Sequence, residues 1–161
     1  MKAKKIALYG LLTALALVLS YLESLGPLSF AVPGIKMGLP NIVIVFALYQ
    51  LSFRDACIIS LVRVLLVSML FGNAFSLVYS LAGAALSLCV MGLLSHAGRF
   101  GKTGVSVAGA VAHNAGQVLA AIVLLETVQI SYYLPVLCVS GTVAGICIGL
   151  VSGIVIQRVK I

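Results

Sequence analysis

Apolar residues fall into six stretches along this chain, separated by short polar turns and one longer glycine-proline segment. A bilayer-crossing helix needs roughly 20 apolar residues, and the pattern predicts helices at about 6–25, 41–53, 55–71, 74–95, 105–125 and 134–156. The second is short for a full crossing. The breakers between them are chemically distinct. Gly26 to Pro40 carries Pro27, Pro33 and Pro40 with Gly26, Gly34 and Gly38, which reads as a loop, re-entrant or lid-like, because proline lacks an N–H and glycine disfavours helix. Arg54-Asp55 and Gly72-Asn73 are minimal turns, and His96 to Gly104 is a solvent loop with Arg99 and Lys102. Glu126 to Tyr133 ends in Tyr132-Tyr133, a pair suited to the membrane interface.

Composition turns this pattern into a class. The chain is 63% hydrophobic and 8% charged, against about 25% charged residues in a soluble domain. Too few polar side chains exist to cover a water-facing surface. The expectation is an all-α integral membrane protein, one bundle of six transmembrane helices spanning 1–161, with no separate soluble domain. The formal charge of +7 is explained by orientation and not by nucleic acid, since the basic residues sit at segment ends. With both termini cytoplasmic, the inner side holds Lys2, Lys4, Lys5, Arg54, Arg99, Lys102, Arg158 and Lys160, and the outer side only Lys36. The apolar run after Met1-Lys2-Ala3-Lys4-Lys5 is longer than a signal-peptide core of roughly 7–15 residues and lacks a small-x-small cleavage site. It reads as a retained first span. Cys57, Cys89, Cys138 and Cys147 lie in apolar segments without CxxC spacing or paired histidines, so they read as packing residues, with no metal and no cofactor implied.

Few strongly polar groups lie at membrane depth: Arg63, His113, Asn114 and Gln117. Arg63 is about nine residues into the third span, and His113 and Asn114 about nine into the fifth, which at 1.5 Å per residue puts them near the midplane. A charge there costs about 2.5–3.5 kcal/mol on insertion scales, so Arg63 faces a polar cavity, a partner or an anion. His113 and Gln117 are four apart, and Asn114 and Gln117 three apart, so the trio makes one patch. The plain alternative is that the amides link helices, at roughly 0.6 kcal/mol per bond. Lys36 and Asn41 flank the turn into the second span. They either anchor it at the interface or close the cavity from outside.

Two small-residue stripes predict close helix contacts. Gly10 and Ala14 are four apart on the first span, and Gly141, Gly145, Gly149 and Gly153 repeat every fourth position on the sixth. Their partners are either helices of this chain or another subunit.

At Lys36-Met37-Gly38-Leu39-Pro40-Asn41, Arg54-Asp55-Ala56, Ser60-Leu61-Val62-Arg63 and Ala112-His113-Asn114-Ala115-Gly116-Gln117, the chain resembles a bacterial membrane family known both as heptaprenyl diphosphate synthase component I and as the Gx transporter family. Met37 stands where that family more often has leucine. The family is similar to the substrate-binding S components of energy-coupling factor (ECF) importers. That similarity implies a six-helix bundle in the cytoplasmic membrane, an outward-facing ligand site under a first-loop lid, and small residues on helix 1 docking onto a coupling subunit driven by ATPases. Gly10 and Ala14 fit the last role loosely, and without a P-loop any ATP use belongs to partners.

The enzyme name meets a chemical obstacle. Ionising an allylic diphosphate takes Mg²⁺ ions held by several carboxylates, and the acids here are Asp55, Glu23 and Glu126, in different parts of the chain. The residues therefore favour a non-catalytic, S-component-like subunit recognising a small polar or anionic ligand through Arg63, His113, Asn114, Gln117, Lys36 and Asn41. The alternative is a non-catalytic accessory subunit of heptaprenyl diphosphate synthase. A third is a structural subunit of a membrane redox assembly, in which Arg63 contacts only protein.

Overall fold

The computed structural model describes residues 2–25 and 38–159. Among them the chain is helical throughout, with α1 Lys2–Ser24, α2 Asn41–Gln50, α3 Phe53–Phe71, α4 Ala74–Ala97, α5 Lys102–Leu125 and α6 Leu134–Arg158. A 3-10 segment, Val128–Tyr133, precedes α6. Helices α1, α4 and α5, and α6 with its 3-10 lead-in, are long and apolar enough to cross a membrane. Helix α3 has 19 residues, among them Arg54, Asp55 and Arg63. Six helices stand where the hydrophobic stretches place them, with shifts at the ends. Lys102 opens α5, and the turn before it shrinks to four residues from Gly98, a left-handed stop at φ 66°.

Helix α2 departs furthest from a span. At 10 residues it is about 15 Å long, half the hydrocarbon thickness. Val43, Ile44, Val45, Phe46 and Ala47 are all buried, so it is apolar all round because protein surrounds it. It packs against α1, α3 and α6. Ser52 stops the chain from continuing as helix and caps α3, its hydroxyl accepting from the Asp55 N–H at 3.2 Å. Asn73 and Ser76 form a reciprocal capping box at the start of α4.

Helix α5 is clasped between α4 and α6 by small residues. A Cβ on Gly145 would lie 2.6 Å from Val107 Cα, and one on Gly149 2.5 Å from Thr103 Cα. A Cβ on Gly141 would meet the Asn114 amide at 2.6 Å. The glycine stripe of α6 is thus spent inside the chain, backbone against backbone with α5. Gly153 lies outside that contact, since a Cβ there meets nothing within 4 Å. On the opposite side of α5, Gly116 lies against Ala82 and Gly83 of α4. Gly10 and Ala14, by contrast, are exposed on α1, and a Cβ on Gly10 likewise meets nothing within 4 Å.

The two ends of the bundle differ. Lys5 Nζ sits 3.1 Å from Asp55 Oδ1, and Tyr9 donates its hydroxyl to the same carboxylate. The Gln50 amide donates to the carbonyls of Ile156 and Val159, and the Lys102 ammonium lies 6.0 Å from the Tyr49 ring centroid. These links gather Lys5, Arg54, Lys102 and Arg158 at one end. The core fills that half, with Leu12, Ala16, Ala56, Ile59, Leu88, Met91, Val105 and Ile156 around α2. The other half is not filled.

Candidate ligand-binding site

That unfilled half encloses a cavity of about 280 Å³, walled by residues of all six helices. Ser20, Glu23 and Ser24 come from the end of α1, and Gly38, Pro40 and Asn41 from the entry to α2. Helix α3 contributes Arg63, Val64, Val67, Ser68 and Phe71, and the start of α4 adds Ser76 and Ser80. Ala110, His113 and Asn114 of α5 and Gly141, Ala144 and Ile148 of α6 close it.

Arg63 dominates the electrostatics. It is 9% exposed, and its Nε finds no hydrogen-bond partner among the described residues. A buried guanidinium carries five donors, and a missing partner for a charged donor costs more than for a neutral one. Glu23, 8% exposed, lies on the same cavity wall. Its Oε1 accepts from the Gly38 N–H at 2.6 Å. Gly38 can present that N–H because it adopts φ 71°, a left-handed conformation that glycine takes without steric cost. Its carbonyl accepts from the Asn41 N–H at 2.8 Å. The Gly-Leu-Pro-Asn turn thereby ties the end of α1 to the start of α2 and brings Asn41 to the cavity wall.

The sequence-predicted residues separate here. Arg63, His113, Asn114 and Asn41 come together on one cavity. Lys36 and most of the Gly26–Pro40 loop lie outside the described residues. Gln117 is not on the cavity wall; its Cγ lies where a Cβ on Gly83 would be 2.9 Å away, in the α4–α5 seam. The three-residue spacing of Asn114 and Gln117 put them on one face, but α5 is flanked by two helices and that face is shared between them. Asn114 turns to α6, donating from Nδ2 to the Leu137 carbonyl at 2.6 Å. The motif on α5 is thus partly a packing hub, and the amide that borders the cavity also links two helices.

Glu23 and the serines escaped the sequence reading. Glu23 reads as an ordinary charge near the outer end of α1, and only its pairing in depth with a lone intramembrane arginine would have singled it out. Ser20 and Ser24, and Ser76 and Ser80, are each four apart. That spacing puts hydroxyls on one face, a signal available in principle but weak.

The acids do not converge. Asp55 is salt-bridged to Lys5, 18 residues before Glu23 on α1, or about 27 Å along the helix axis. Glu126 terminates α5 with φ 49°.

Neither a curated protein nor a solved structure gives a match to this sequence. The family model described as heptaprenyl diphosphate synthase component I matches residues 12–155, a span that holds α2 to α5 entire, Arg63 and the α5 motif among them. The chain belongs to the heptaprenyl diphosphate synthase component I family.

Proposed function

We propose that this chain is a non-catalytic membrane subunit, the accessory component that its family's description names, and that its cavity holds a small polar or anionic ligand. Family membership supports the accessory role. The scattered acids support the absence of prenyl transfer by this chain, since Mg²⁺-diphosphate chemistry draws several carboxylates to one point. The single observation behind the ligand cavity is Arg63, buried at membrane depth with its Nε unpartnered among the described residues on a wall built by every helix. In this reading a separate soluble subunit carries the catalysis.

A second reading, a solute-binding subunit that works with a membrane coupling protein and ATPases, draws on the same cavity and on the exposed Gly10 and Ala14 of α1. Small residues left exposed among the described residues leave room for another helix. Copurification separates the two. Tagged protein extracted in mild detergent is expected to retain a soluble prenyl synthase on the first reading. Recovery of coupling subunits and ATPases instead overturns it in favour of the second.

A further inference from the structure

The ligand can be narrowed by charge and size, an inference that rests on the reading of the cavity as a ligand site. We infer that the cavity takes a small monoanion, a carboxylate, bound by Arg63 without a metal ion, and that it does not take a prenyl diphosphate.

Three observations carry this. First, Arg63 is a fixed cation with an unsatisfied donor on the cavity wall. A guanidinium matches carboxylate and phosphate oxygens in geometry. Second, the described wall contributes one guanidinium and one carboxylate, Arg63 and Glu23. A diphosphate brings two or more negative charges into a site of low dielectric. Arg63 alone cannot balance such a group, and among the described residues the wall offers no second acid to hold a divalent cation as a bridge. A monoanion leaves less charge uncompensated. Third, the cavity measures about 280 Å³. A one-ring or short-chain acid fits that space. Asn41 then supplies a donor and an acceptor for the remainder of the ligand, and Ser20 and Ser24, whose hydroxyl hydrogens go to the Ala16 and Tyr21 carbonyls, supply acceptors.

The chain has four arginines, Arg54, Arg63, Arg99 and Arg158, which makes a direct readout practical. The full chain, labelled with [15N]arginine and held in lipid nanodiscs, is titrated with acetate, benzoate, inorganic phosphate, and farnesyl diphosphate with Mg²⁺. The Arg63 Nε–H resonance is identified by its disappearance in Arg63→Lys. A tighter response to inorganic phosphate than to acetate or benzoate overturns the carboxylate assignment. The expected result is a saturable shift of that resonance with a carboxylate. Asn41→Ala should weaken it about tenfold, as loss of one hydrogen bond to a charged group does. A tighter, saturable response to farnesyl diphosphate overturns the monoanion assignment and leaves the ligand cavity standing. If no probe moves Arg63 saturably, the assignment and the ligand-site reading both fall.

Discussion

At the scale of single residues, Arg63 and Asn114 illustrate two ways a membrane protein uses a polar group. Arg63 is buried with a donor unspent, and Asn114 spends its donor on a backbone carbonyl of α6. Their substitutions should therefore separate. Arg63→Ala is expected to weaken binding of the native ligand by at least about tenfold, the worth of one charge-assisted hydrogen bond, in a direct binding assay on purified protein. Undiminished affinity would remove Arg63 from the site. Asn114→Ala loses an interhelical bond, so its main effect should be on stability, by about 0.6 kcal/mol and no more than about 1.7, read by unfolding in mixed micelles. Gln117→Leu should leave ligand affinity within about twofold, because its side chain packs in the α4–α5 seam away from the cavity, where an apolar replacement of similar size is tolerated. A large loss of affinity with an unchanged fold would show that Gln117 reaches the ligand after all.

At the scale of elements, the glycines of α6 differ in what a side chain would meet. Gly145→Val and Gly149→Val drive new atoms into the backbone of α5 at Val107 and Thr103. Backbone cannot yield as a flexible side chain can, so each should cost about 1–3 kcal/mol or prevent folding. Gly153→Val points into open space and should leave stability unchanged or raise it by a few tenths of a kcal/mol, because valine is a better helix former than glycine. Equal thermal stability of the Gly145 and Gly153 variants in detergent would refute the α5–α6 packing described here. Gly10→Leu should leave the fold of the isolated chain unchanged for the same reason, and any loss confined to a purified complex would locate a partner on α1.

At the scale of the whole molecule, the bundle is polarised. One half is solid around α2 and ends in Lys5, Arg54, Lys102 and Arg158; the other holds the cavity and the Glu23–Gly38 contact. The asymmetry of lysine and arginine across membranes is the ground on which we propose that the basic end is cytoplasmic and the cavity faces outward. With the native cysteines replaced by serine, Glu126→Cys should react with a membrane-impermeant maleimide on intact cells, and Arg99→Cys only after permeabilisation. The reverse pattern would invert the topology.

The sequence by itself determined the number of helices, their approximate bounds and the membrane setting, because hydrophobic run length and the position of charges are local properties. It also located Arg63 and the α5 motif as anomalies, since a polar group at membrane depth is costly wherever its neighbours lie. Tertiary structure alone decided which neighbours those were. It turned the α6 glycines inward onto α5 and left Gly10 and Ala14 uncovered, a choice that spacing cannot make because every stripe of small residues reads alike. It made α2 a buried core helix and not a span. It divided His113, Asn114 and Gln117 between the cavity and two helix seams, and it carried Glu23 from the end of α1 to the cavity of Arg63, 40 positions further along the chain.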